Sequence, residues 1–187
     1  MDLLWTDFLN SLWHNWRGGG QTEDRLDKTE WLADFLQEWH LKAAVPPSTE
    51  EMTILKNFRD LLQRMAENVV AGHGLQTKDI DAMNKVLAEG PVIRQAVQTE
   101  DEVELNLVPV QKGWNHVMAE ISASFIITLI QGETNRIRRC ENPDCLWFFY
   151  DNTRNRSKRY CEDKTCGNLM KVRKFRERQR RKNNKDS

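Results

Sequence analysis

A chain of 187 residues with 39% hydrophobic side chains and seven tryptophans can bury one large core, or a medium core and a small one. Its 28 basic and 28 acidic residues cancel, which excludes a uniformly basic or acidic chain but conceals a split. Residues 1–135 carry 11 Lys and Arg against 21 Asp and Glu, a net −10, while residues 136–187 carry 17 against 7, a net +10. Two parts with different partners are expected, the C-terminal one facing something anionic. The opening MDLLWTDFLNSLWHNW has no basic leader region, and the longest apolar run, FIITLI, is far too short to span a bilayer. The reading is therefore a cytoplasmic protein with no membrane partner.

In chain order, residues 2–16 place Leu4, Phe8, Leu12 and Trp16 four apart, the stripe of a helix that GGG at 18–20 ends as a linker. TEDRLDKTEWLADFLQEWH resumes helical periodicity, with Trp31, Leu32, Phe35, Leu36 and Trp39 on one face. VPP at 45–47 breaks it. Ser48 with Glu51 then forms a capping box before Met52, Leu55, Phe58, Leu62, Met65 and Val69. Thr77 caps a shorter helix carrying Ile80, Met83 and Leu87. PVIRQAV and VELNLVPV, joined by QTEDE, read as a β-hairpin. A last helix carries Trp114, Val117, Met118, Ile121, Phe125, Ile126 and Leu129. The fold class is α+β, mainly α: a helical domain over 1–135 with a small hairpin, and a second domain over 136–187 whose polar tail after about Lys182 is expected to be disordered.

All four cysteines fall in that second part. Cys140 and Cys145, then Cys161 and Cys166, are pairs of identical spacing separated by fifteen residues. In a reducing compartment this reads as a tetrahedral metal site rather than two disulfides. Four protein sulfurs leave no open position, so one structural Zn²⁺ is expected, with an iron–sulfur cluster as the rival. The intervening LWFFYD reads as a strand, TRNRS as a turn and KRYC as the returning strand; a basic helix follows over 168–182. Knuckle, hairpin and second knuckle at a helix start make a treble-clef-like finger, with a zinc ribbon as the alternative.

The turn supplies Arg154, Arg156, Lys158 and Arg159. The helix supplies Lys171, Arg173, Lys174, Arg176, Arg178, Arg180, Arg181 and Lys182. That density suits phosphate neutralisation. Asn155 and Asn168 are placed to read bases or to shape turns, and Trp147, Phe148, Phe149 and Tyr150 to stack on bases or to pack the hairpin.

The stretch CENPDCLWFFYDNTRNRSKRYCEDKTCGNLMKVRKFRERQR resembles the CGNR zinc-finger family of bacterial proteins. The family's C-x4-C, aromatic-Asp strand, basic segment and C-G-N-R-x-K follow in the same order, at Cys140, Cys145, Phe149, Asp151, Thr153 to Arg159, Tyr160, Cys161, Cys166, Gly167, Asn168 and Lys171. FLNSLWHNWRGGGQTEDRLDKTEWLADFL, with Asn10 in its first helix, is similar to the opening of the family's N-terminal ABATE domain. The resemblance implies a stress-linked transcription regulator whose N-terminal domain regulates or senses a ligand. It also brings a departure: Leu169 stands where the motif has arginine.

Beside that resemblance, the four histidines share no metal spacing and no Gly-rich phosphate loop is present, so no enzyme is expected. Asn10, His14, Arg17, Asp27, Arg59 and Asn84 are polar residues beside apolar stripes, the candidates for an effector pocket against a reading as caps and surface residues. The function expected is a zinc-dependent regulator binding double-stranded DNA, its helical domain sensing a small molecule or mediating homodimerisation. RNA binding or a protein-interaction finger are the alternatives.

Overall fold

The apolar stripe of the first sixteen residues does not run on as one helix. In the computed structural model, which describes residues 3–100 and 102–184, helix α1 spans only Leu4–Leu9. The chain then extends into strand β1 (Leu12–His14), paired antiparallel with β2 (Thr22–Asp24). Tertiary pairing overrides the local period here. Buried Ser11 accepts the Arg25 N–H on its carbonyl at 2.9 Å, and Asn10 is drawn into a contact with a distant strand. The glycines at 18–20 are the turn of this hairpin, not a linker; their φ angles of +100°, +98° and +71° are left-handed values that side chains resist. The next predicted helix is shortened likewise. Residues 22–28 are spent on β2 and a 3₁₀ turn capped by Asp24, and α2 begins at Thr29 and ends at Glu38.

The remaining helices follow the sequence closely. Helix α3 (Thr49–Val70) starts on the expected capping box: Ser48 Oγ accepts the Glu51 N–H and Glu51 accepts the Ser48 N–H at 2.7 Å. Helix α4 (Thr77–Glu89) leads through Gly90 into strands β3 (Val92–Gln98) and β4 (Val103–Pro109), and helix α5 covers Trp114–Gln131. Gly90 lies so close to α5 that a Cβ there would meet Ala119 Cβ at 2.4 Å. No helix among the described residues is long and apolar enough to cross a membrane.

These helices enclose one apolar core. Trp5 and Phe8 of α1 are fully buried at its centre. Trp5 meets Phe125 edge-on at 5.1 Å, and Phe8 lies 5.5 Å from Phe58 and 6.2 Å from Phe35. Three tryptophan N–H groups are satisfied there: Trp5 donates to Thr128, Trp39 to Asp7 and Trp114 to the Ala44 carbonyl. At one edge, Arg59, 5% exposed, donates both guanidinium arms to the Asp24 carboxylate at 2.6 and 2.7 Å and a third bond to Ser11.

The C-terminal segment continues from α5 without a break in packing. Strand β5 (Ile137–Arg139) pairs antiparallel with β6 (Phe148–Tyr150), and Ile137 and Phe148 join the same core as the helices. The partner of the aromatic strand is thus the segment upstream of Cys140, not the expected return KRYC. The first knuckle itself reverses the chain, with Cys145 N–H donating to Asn142 O and Cys140 N–H to Trp147 O. Residues 158–160 run irregularly, and the Arg159 carbonyl accepts the Glu141 N–H. A tight turn over Asp163–Gly167 then carries Cys166 into helix α6 (Asn168–Asn183). The helix takes up the start of the tail expected to be disordered, and residues 185–187 lie outside the described residues. A knuckle in a hairpin, a loop, and a second cysteine pair heading a helix form the treble-clef-like arrangement.

Candidate metal centre and nucleic-acid interface

The sulfurs of Cys140, Cys145, Cys161 and Cys166 all lie within 4.8 Å of one another. Cys145 and Cys161 Sγ are 3.6 Å apart, and Cys161 and Cys166 Sγ 3.8 Å. Neither is bonded as a disulfide. A tetrahedral ion with metal–sulfur bonds of about 2.3 Å sets sulfur–sulfur edges of roughly 3.8 Å, so the donor set fits a single four-sulfur metal ion. Cys140, Cys145 and Cys166 are buried and Cys161 is half-buried. Contacts with Cys145 and Cys161 pull the Cys140 thiol down to about 2, whereas the contact with Cys140 pushes Cys145 and Cys161 up. Crowded sulfurs without a counter-charge cannot all ionise; a divalent cation lets them.

The N-terminal half reaches into this cluster. Trp16, beyond β1, packs against the cysteines together with Trp147 and Tyr160. Asn142 inside the knuckle is fully buried; its amide donates to the Trp16 carbonyl at 2.8 Å and to Cys166 Sγ at 3.3 Å. Such an N–H···S bond favours the thiolate a metal needs. Asn10 makes a reciprocal pair with the backbone of Phe148, both bonds 2.9 Å, fastening α1 to β6.

A second buried group shapes the arginine turn. Asp151 is fully buried and accepts the Thr153 N–H, the Thr153 hydroxyl and the Lys158 N–H. Burial raises its pKa, but the Thr153 and Lys158 bonds and the Arg138 charge outweigh that and hold the carboxyl below the usual range. Arg136 donates to the carbonyls of Asp151 and Thr153, and Arg138 to that of Arg156. The turn is therefore built on a carboxylate and two arginines outside it, which the reading by basic density passed over.

The expected nucleic-acid residues divide into two sets. Arg156 pairs with Glu133, Arg159 with Glu141, and Arg173 with Asp144 while also donating to the Arg17 carbonyl. Lys158 lies over the Phe149 ring at 5.2 Å, and Asn168 donates to the Lys164 carbonyl. Arg154, Lys171, Lys174, Arg176, Arg178, Arg180 and Lys182 are exposed, with no ion pair among the described residues; Asn155 is exposed beside Arg154. The acidic residues in and beside the basic segment were the signal for this division, since Glu133, Glu141 and Asp144 each claim an arginine. From Lys174 to Asn184 every side chain of α6 and its cap is exposed, and Phe175 at 61% and Val172 at 45% stand among the free cations. Phe148 and Phe149 are buried, so they pack and do not stack on bases. Leu169 is half-buried at the helix start.

The six effector candidates do not converge. Asn10 and Arg59 are committed to the contacts above, Asp27 pairs with Lys56 at the surface, Arg17 lies over Trp16, and Asn84 is exposed on α4. His14 is half-buried, its pKa lowered by burial and by Arg139. Asn10 lines a cavity of about 420 Å³ with Arg25, Trp147 and Lys158, between α1 and the finger, and His14 lines an adjoining one of about 220 Å³ against the cysteines.

The CGNR zinc finger family model matches residues 136–179. The ABATE family model, described as "Putative stress-induced transcription regulator", matches residues 2–132. No curated protein matches the chain. With one match spanning well over half the sequence and the other covering the cysteine cluster, the chain belongs to the ABATE family and carries a C-terminal CGNR zinc finger.

Proposed function

We propose that this protein is a DNA-binding transcriptional regulator, a regulatory rather than catalytic chain, working in the reducing cytoplasm. One structural Zn²⁺, held by Cys140, Cys145, Cys161 and Cys166, fixes the start of α6. The observation that carries the reading is the free-standing helix beyond Arg173. Lys171, Lys174, Arg176, Arg178, Arg180 and Lys182 are exposed on it with no ion pair among the described residues, while its root is held by the cysteines and by Arg173 on Asp144. A single projecting basic helix on a rigid base is what entry into a duplex groove requires. Burial of Phe148 and Phe149 removes much of the stacking surface that single strands would need.

The N-terminal half would transmit its state through Asn10, Trp16 and Arg17, which all touch the finger. An effector seated in the 420 Å³ cavity would press on α1 and β6 together. The test is binding of the zinc-loaded protein to a random duplex pool across a salt series, with the retained DNA sequenced. About five phosphate contacts give a slope of log affinity on log salt near −5. A steep slope with an enriched motif supports the reading. No retention at low salt by the zinc-loaded protein overturns it, and equal or better retention of RNA reassigns the helix.

A further inference from the structure

The β3–β4 hairpin is built with its apolar side toward water. Its register places Leu107 opposite Arg94, Leu105 opposite Ala96, Val103 opposite Gln98 and Pro109 opposite Val92, all on one face. Val103, Leu105 and Leu107 are 65%, 67% and 63% exposed. The other face is mixed, with Gln95, Glu104 and Asn106 set among Ile93, Val97 and Val108. An antiparallel sheet with one solvated face normally turns the apolar side inward. Here no third strand joins the pair among the described residues, and an isolated two-stranded hairpin is marginal in water. Something must cover this face.

We infer that the cover is the same face of a second copy, with the two hairpins packed across a two-fold axis and running antiparallel. Three observations select a copy of this chain. A two-fold interface must be complementary to itself, and the β4 half of this face is wholly uncharged, so two copies meet there without opposing like charges. The hairpin's charges are also separated by position. Glu100 and Glu102 sit at the tip, while Arg94 on β3 and Lys112 just after β4 sit at the root. Antiparallel stacking brings the acidic tip of each copy over the basic root of the other; parallel stacking would oppose like charges. The register also leaves only Arg94 as a charge on the packed face, on β3 near the root, where it can reach the partner's tip.

The inference does not rest on the DNA reading, although a two-fold dimer would present two α6 helices and favour a palindromic site. The experiment is sedimentation equilibrium of the full zinc-loaded chain, with zinc content and far-UV circular dichroism recorded for every variant. The parent is expected to sediment at twice the chain mass. Leu105→Lys, at a position already exposed and so harmless to the fold, should raise the dimer dissociation constant at least about a hundredfold, because two unpaired charges would be desolvated per dimer. Arg94→Glu should weaken the dimer, and Arg94→Glu combined with Glu102→Lys should restore it, which only tip-over-root packing explains. A parent that stays monomeric up to millimolar concentration overturns the inference. So does a dimer indifferent to Leu105→Lys, or a charge swap that fails to rescue.

Discussion

The two ends of the chain are held by different means. Around α1 the fold rests on many interchangeable apolar contacts, in which Trp5, Phe8, Phe58, Leu62 and Phe125 each share the load with neighbours. Around the cysteines the fold rests instead on a handful of polar and sulfur groups, namely four sulfurs, Asn142, Asp151 and the paired arginines. A segment of some fifty residues has too little apolar surface for a core of its own, so its shape depends on single atoms. The first region should tolerate substitution by degrees and the second should fail at points.

The largest expected effect follows directly. Zinc chelation or Cys166→Ser should remove most of the folding energy of residues 140–183, since structural zinc contributes on the order of 10 kcal/mol to small fingers. Trypsin should then cut rapidly in the basic segment while the helices 29–131 resist, and helicity should fall by about the length of α6. Global unfolding on chelation would show that the links through Ile137, Phe148, Asn10, Trp16 and Arg17 bind the two ends into one cooperative unit.

Within the helical end, one place should also fail at a point. Arg59→Ala leaves the Asp24 carboxylate with only Lys56 and the Leu26 N–H, and the Ser11 hydroxyl without its donor, and should cost about 3 kcal/mol, more than trimming a core leucine at the low end of its range. Denaturant unfolding measures it. The pair also has a pH signature. Burial raises the Asp24 pKa, but the Arg59 bonds and charge, the Leu26 N–H and Lys56 bring it below the usual value. A carboxyl depressed in the folded state stabilises fully above its unfolded pKa of about 4. That contribution is lost as pH falls through the lower folded value, so the parent should weaken in acid more than Arg59→Ala does.

Long amphipathic elements were legible because their period is long: α3 and α5 appear where spacing put them, and the Ser48–Glu51 box is present. The first thirty residues were not. Leu12 and Trp16 keep a helical interval, yet Trp16 is claimed by the cysteine cluster 126 positions away and Asn10 by Phe148. No local pattern encodes such pairs. Metal spacing was legible because two identical short intervals admit little else. The strand partner of FFY was not, because a knuckle that reverses the chain makes the upstream IRR the nearer edge. Basic density overstated the number of unpaired cations, since Glu133, Glu141 and Asp144 neutralise Arg156, Arg159 and Arg173. The acids that do this were visible in the sequence; their partners were not.

Asp151 tests whether the finger's fragility extends beyond the metal. Asp151→Ala leaves the Thr153 and Lys158 N–H groups without their acceptor and Arg138 without its ion-pair partner, and should lower the finger's stability by about 2 kcal/mol with zinc still bound. Hydrogen exchange at residues 153–158 should rise, while exchange in α3 and α5 should stay as it was. Unchanged protection of the turn would mean that Arg136 and Arg138 hold it without the carboxylate.

The smallest effect separates shaping cations from contacting ones. Lys171 is exposed with no ion pair among the described residues, whereas Arg159 is engaged by Glu141. Lys171→Gln should leave the melting curve alone and make the salt slope of duplex binding shallower by about 0.9, the share of one phosphate. Arg159→Gln should do the reverse: little change in slope, but a looser knuckle, because Glu141 loses the arginine that holds its carboxyl below the usual range. The two substitutions remove the same charge from the same finger, so net charge alone predicts equal loss of affinity from both. Unequal slopes would mean that the ion pairs decide which of the cations reach the phosphates. Equal slopes would mean that Arg159 leaves Glu141 on binding, and that the internal pairs are a resting state of the interface.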